Sequence, residues 1–223
     1  MSSKLILYGV YMSPPVRAVL LTLKALELDY EFKEINVAAG EHLQPEYLQK
    51  NPQHTMPLLE DDGKCIWDSH AIIAYLVRKY AKDDSLYPKD FYERAVVDQR
   101  LHFENGVLFT ACIRQLVAVV FHGTPTKEVV AERIKAINEA YETLEKFFGD
   151  HEYFAGNKLT IADFSIVSSV SSLAPISPVD VSKTPKLAAW FERMKELPYY
   201  EEVSAVGIQA IVERIQAKLA DLN

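Results

Sequence analysis

The chain has 223 residues, of which 49% are hydrophobic and 25% charged, with a formal net charge of −7. This is ordinary globular composition, long enough for one large or two small domains. It lacks the Lys/Arg cluster that a nucleic-acid binder needs to neutralise phosphates. Cys65 and Cys112 stand far apart with no CxxC, so neither a disulfide framework nor a zinc site is expected, and two free thiols fit a reducing, cytoplasmic setting.

Met1-Ser2-Ser3-Lys4 leads straight into a strand-like run, as expected of an unsecreted terminus. No apolar run reaches the roughly 20 residues of a membrane span. Lys4–Tyr8 reads as a buried strand, and Val16–Leu26 carries apolar residues at helical spacing behind a Ser-Pro-Pro start. Tyr30–Val37, rich in aromatic and β-branched residues, predicts a second strand. Leu58-Leu59 and Cys65-Ile66-Trp67 flank Asp61-Asp62-Gly63-Lys64, a hairpin signal, and Ser69–Tyr80 is amphipathic and helical. The order is β-α-β, a connecting segment, then β-β-α, which predicts an α/β thioredoxin-like domain over residues 1–81. A polar linker is expected at 82–90. Beyond it Phe91–Phe121, Lys127–Phe148, Ile161–Ser172, Pro185–Leu197 and Tyr199–Leu219 show helical periodicity, giving an all-α domain at 91–223.

Three segments of the first domain have chemical content. Ser13 stands between the first strand and first helix as a candidate N-cap, with Pro14 at the tolerated first helical position. The turn carries Ser-Pro-Pro-Val where a dithiol redox protein would carry Cys-Pro-x-Cys, so dithiol exchange is excluded. In Asn51-Pro52-Gln53-His54-Thr55-Met56-Pro57, the proline restricts Met56 to extended geometry, and a cis Met56-Pro57 bond is predicted. Asp68-Ser69-His70 opens a helix whose free N–H groups would suit a carboxylate, with Asp68 beside them for an ammonium. Each segment taken alone reads equally well as a cap or a turn.

Taken in order, Leu7-Tyr8-Gly9, Ser13-Pro14-Pro15-Val16-Arg17-Ala18-Val19, His42, Asn51 to Pro57, Asp68-Ser69-His70-Ala71-Ile72 and Asp83 to Asp90 resemble the soluble glutathione transferases. The likeness is to the insect epsilon class in particular, close to the delta class. Leu159-Thr160-Ile161-Ala162-Asp163-Phe164 is similar to the family's folding motif and reads as a capping box with a hydrophobic staple. The resemblance implies that the Ser13 hydroxyl donates to the sulfur of glutathione. A donor near a helix N-terminus can lower a thiol from its ordinary pKa of about 8.5 toward neutrality. It further implies that His42 and His54 hold the glycyl end, with Thr55 a weaker neighbour. The Met56 backbone would pair with the cysteinyl portion, and Asp68, Ser69 and His70 would hold the γ-glutamyl head group. Asp68 departs from the family's more usual glutamate.

The electrophile pocket is expected between Met12, Pro14 and one stripe of the long helix, Phe109, Cys112, Leu116 and Val120. Arg114 is offset by one residue from an arginine of some relatives, which turns an α-helical side chain by about 100° and places it outside the site. The implied protein is a homodimeric enzyme using glutathione as co-substrate, with no metal. It would act on small hydrophobic electrophiles such as xenobiotics and lipid-peroxidation products. The alternatives are a noncatalytic carrier of glutathione or hydrophobic ligands, and a glutathione-dependent isomerase or peroxidase.

Overall fold

The computed structural model describes residues 5–119, 123 and 126–219. Strand β1 (Leu5–Gly9) lies inside a four-stranded sheet of order β2-β1-β3-β4. It pairs in parallel with β2 (Tyr30–Glu34), Leu5 opposite Tyr30, which requires the crossover supplied by helix α1 (Pro14–Ala25). Antiparallel β3 (Leu58–Asp61) follows on the other side of β1 and turns into β4 (Lys64–Trp67). Asp62 and Gly63 both have positive φ, 50° and 76°, the geometry of the two-residue turn that matches strand twist.

β2 is shorter than the expected Tyr30–Val37. Asn36 turns the chain, its Oδ1 accepting from the Ala39 N–H while its own N–H donates to Glu41. The connecting segment also holds structure that periodicity could not reveal, a 3₁₀ turn at Glu41–Leu43 and the six-residue helix α2 (Pro45–Lys50). Helix α3 (Ser69–Tyr80) completes the first domain and packs beside α1.

The predicted single helix Phe91–Phe121 is a composite. α4 (Phe91–Phe103) passes into an i→i+5 (π) segment at Glu104–Arg114 and a final α-helical turn, α5 (Gln115–Val117). Then come α6 (Lys127–Phe147), α7 (Ile161–Leu173), α8 (Pro185–Lys195) and α9 (Tyr200–Leu219).

All 13 residues of α7 are buried, so it shows no one-sided apolar stripe. Its serines suit that position because they are small and return their hydroxyls to the helix's own carbonyls. Ser168 donates to Phe164 O and Ser172 to Ser168 O, both at 2.8 Å. The start of α7 is fixed by Asp163, which is fully buried. Its carboxylate accepts from Thr160 N and Oγ1 at 2.9 Å, Phe154 N at 3.2 Å and Trp190 Nε1 at 3.0 Å, tying α7 to α8 and the preceding loop.

Removing this acceptor leaves buried donors unmet. Asp163→Ala is expected to destabilise the protein by about 3–5 kcal/mol in urea unfolding. Burial also pushes the Asp163 carboxyl up to about 6 from its ordinary 3.8, against the hydrogen bonds that hold it down. The folded value exceeds the unfolded one, so this group's contribution to stability is full below about pH 4 and is lost as pH rises through 6. Relative to Asp163→Asn, wild-type stability is expected to fall by ~3 kcal/mol over that window, read from unfolding curves.

Candidate active site

The chain leaves β1 through Val10–Met12 and enters α1 at Ser13. Ser13 is the N-cap by backbone geometry, φ −77° and ψ 118°, with its N–H donating to Val10 O at 3.0 Å. Its hydroxyl makes no capping hydrogen bond, and Pro14 and Pro15 leave no N–H at the first two helical positions. The hydroxyl is therefore available to a ligand. It lies at an apolar cavity of about 510 Å³ lined also by Met12, Pro14, Phe109, Leu116 and, from the far end of the chain, Ile211 and Ile215 of α9.

The second segment is pinned from beneath. Tyr47 Oη donates to Thr55 O at 2.7 Å, and buried Asn51 donates through Nδ2 to the same oxygen at 2.8 Å. Met56–Pro57 is cis. In the third segment Asp68 caps α3, its Oδ1 accepting from His70 N at 2.9 Å and Ala71 N at 3.2 Å. Two of the N–H groups that the sequence left open for a ligand carboxylate, those of His70 and Ala71, are thus filled by the chain's own side chain. Of the four non-glycine residues with positive φ among those described, two are His54 (49°) and Asp68 (75°). Such backbone conformations persist where surrounding structure enforces them, often at ligand sites.

A second, more polar cavity of about 360 Å³ lies between the domains. Thr55, Met56, Asp68, Ser69 and His70 line one side, and Glu104, Asn105, Phe109 and Arg114 the other. His70 does more than line it. Its Nε2 sits 2.9 Å from Glu104 Oε2 and 2.8 Å from Ser165 Oγ, and Ser169 Oγ donates to the same buried Glu104. The imidazole therefore joins α3 to the π segment and α7, and that nitrogen is already engaged. His42 and His54 lie side by side, ring centroids 6.3 Å apart, outside the lining of this cavity.

The π segment decides which side chains of the long helix reach the site. Residues five apart on an α-helix stand about 140° apart, whereas i→i+5 bonding stacks them on one face. Glu104, Phe109 and Arg114 have that spacing and all line the polar cavity, and Phe109 and Arg114 line the apolar one as well. Arg114, expected outside the site, lines both cavities. Cys112, expected on the pocket stripe, is 2% exposed and faces α6, its Sγ 3.9 Å from Ala136 O. Val120 lies outside the described residues. Ile113, Ser172, Leu173 and the α9 isoleucines were missed because nothing local marks them as neighbours of Ser13.

Residues 3–78 match the family model "Glutathione S-transferase, N-terminal domain", and residues 106–198 match "Glutathione S-transferase, C-terminal domain". The chain belongs to the glutathione S-transferase family. It is an enzyme of this family, with the thioredoxin-like and helical domains typical of it and glutathione as co-substrate. Glutathione S-transferase 1 of Manduca sexta is 42% identical over 216 residues, 96% of this chain and 98% of its own length. An epsilon-class glutathione S-transferase from the housefly Musca domestica has a TM-score of 0.92 at 54% identity, covering 96% of this chain and 98% of that one. A glutathione transferase homologue from Drosophila mojavensis, solved with bound glutathione, has a TM-score of 0.91 at 54% identity over 97% of this chain and 98% of its own. Among the described residues no group of three or more His, Cys, Asp or Glu is placed to hold a metal ion, and no helix is long and apolar enough to cross a membrane.

Burial pushes the Cys112 thiol up to about 11, while Cys65 is only half-buried. Iodoacetamide at neutral pH is therefore expected to label Cys65 at least about tenfold faster than Cys112, as measured by peptide mass spectrometry. Equal labelling would place Cys112 at the pocket after all.

Proposed function

We propose that this glutathione transferase conjugates a glutathione thiolate, stabilised by Ser13, to small hydrophobic electrophiles. The observation that carries the reading is the Ser13 hydroxyl, unspent on its own helix and placed at the apolar cavity. The γ-glutamyl head group binds against Asp68 and Ser69, its ammonium meeting Asp68 Oδ2, and the cysteinyl portion runs along Met56. The glycyl carboxylate extends toward His42 and His54. The sulfur then reaches Ser13, loses its proton to water and accepts a hydrogen bond from the Ser13 Oγ–H. The helix N-terminus favours the anion further.

The electrophile occupies the cavity bounded by Met12, Pro14, Phe109 and Leu116, whose apolar walls select hydrophobic compounds such as xenobiotics and lipid-peroxidation products. The sulfur lone pair forms the new S–C bond. With an aryl halide the halide then departs with its bonding electrons, and with an enal the electrons move onto the carbonyl oxygen, which takes a proton from water. Much of the acceleration comes from holding thiolate and electrophile together. In this reading residues 1–81 hold glutathione, 82–90 connect, and 91–223 close the electrophile pocket of a cytoplasmic enzyme.

The same reading includes a homodimer. Phe91 and Tyr92, at the start of α4, are 88% and 79% exposed, an aromatic pair suited to burial against a second copy. Replacing both with aspartate is expected to shift sedimentation toward a monomer, and an unchanged profile would remove these residues from the interface.

The decisive test is conjugation to a chromogenic aryl halide across neutral to alkaline pH. Ser13→Ala is expected to raise the pKa of the bound thiol by about one to two units and to lower kcat/KM at neutral pH by about 10–100-fold. Inactivity of the wild type toward this halide and a panel of enals and isothiocyanates, with glutathione still bound, would refute conjugation. A wild-type pH profile in Ser13→Ala would remove Ser13 from the mechanism.

A further inference from the structure

Arg17 has no part in the mechanism above, yet its placement is unusual. Among the described residues it is the lysine or arginine with no exposure at all. Nη1 donates to Tyr11 O and to Met12 O, both at 3.0 Å. Nη2 donates to Ser168 O at 2.8 Å and also to Ser172 Oγ, with Ser171 Oγ at 3.5 Å. Nε, also buried, has no hydrogen-bond partner among the described residues. Every acceptor of this guanidinium is neutral.

Among the described residues no carboxylate hydrogen-bonds to Arg17. The β1–α1 turn presents backbone carbonyls, and α7 presents its serines. α9 presents Tyr200, a phenol whose pKa burial raises, and Gly207, where a Cβ would lie 2.0 Å from Tyr11 O and 3.0 Å from Arg17 Nη1. Burial lowers the guanidinium to about 10, which leaves it a cation at neutral pH.

A buried charge is a poor choice for a structural link, since a neutral donor of similar size joins the same elements without the desolvation penalty. Its placement explains its use. Met12 O belongs to the peptide unit that delivers the Ser13 nitrogen, so the guanidinium fixes the carbonyls of the turn that leads into Ser13. An uncompensated cation in a water-poor region also favours any anion formed nearby.

Resting on the reading of Ser13 as the thiolate's donor, we propose that Arg17 is a positioning residue for glutathione ionisation. It fixes the Tyr11 and Met12 carbonyls of the turn that leads into Ser13 and supplies the buried positive charge behind that turn.

The test is an ultraviolet titration of the thiolate in the glutathione complex, with affinity for S-methylglutathione measured in parallel. Arg17→Met is expected to raise the thiol pKa by about one unit, a tenfold lower thiolate fraction at neutral pH, while S-methylglutathione binds within about twofold of wild type. Arg17→Lys, which keeps the charge but not the planar fork, is expected to recover most of the shift. A folded Arg17→Met that titrates as wild type overturns the proposal, as does a shift that Arg17→Lys shares in full. Where Arg17→Met does not fold, Gly207→Ala reads the same quantity by displacing the turn from the guanidinium. A raised pKa there supports the proposal and a wild-type titration overturns it. Ser13→Ala titrated alongside separates the two readings. If it matches wild type, the thiolate reading itself fails, whereas a shift in Ser13→Ala with none in Arg17→Met removes only Arg17.

Discussion

The packing of α1 on α7 is the constraint on which the rest of the molecule depends. α1 belongs to the first domain and α7 to the second, and Arg17 reaches from one to donate to the Ser168 carbonyl of the other. α7 is buried on every side, and Asp163 fixes where it starts, so α1 docks against an element that cannot itself shift cheaply. Ser13 begins α1, and Ser172 and Leu173 near the end of α7 line the cavity that Ser13 faces. His70 repeats the arrangement one layer away, joining α3 to α7 through Ser165. The geometry of the site is thus a consequence of how two domains are fastened together.

The long helix then sets the character of the space between them. Its i→i+5 segment aligns Glu104, Phe109 and Arg114, which gives one polar cavity and one apolar cavity a common wall. In the proposed reaction a tripeptide with charged ends and an apolar electrophile need different surroundings but must meet at one atom. Two cavities sharing Phe109 and Arg114, with Ser13 at one of them, are compatible with that requirement. On a regular α-helix Arg114 would stand about 140° round from Phe109.

Much of the fold was legible because its signals are local. The Asp62-Gly63 turn needs two positive φ values, the Ser-Pro-Pro start needs no N–H at its first helical positions, and Thr160 with Asp163 closes a cap within four residues. The failures share the opposite cause. No local signal shows that one Asp68 oxygen caps α3 or that His70 Nε2 meets Glu104, 34 residues away. Cys112 and Arg114 were misplaced because periodicity assumed one helical pitch throughout.

The sequence by itself determined the order of the main strands and helices, the change from α/β to all-α, and the segments of the first domain that line the two cavities, because each is written in contiguous residues. Only the tertiary structure decided which side chains face that site. Helix pitch, the insertion of α9 against Tyr11 at Gly207 and the burial of Arg17 all depend on contacts between residues far apart in the chain. Local propensity carries no term for such contacts.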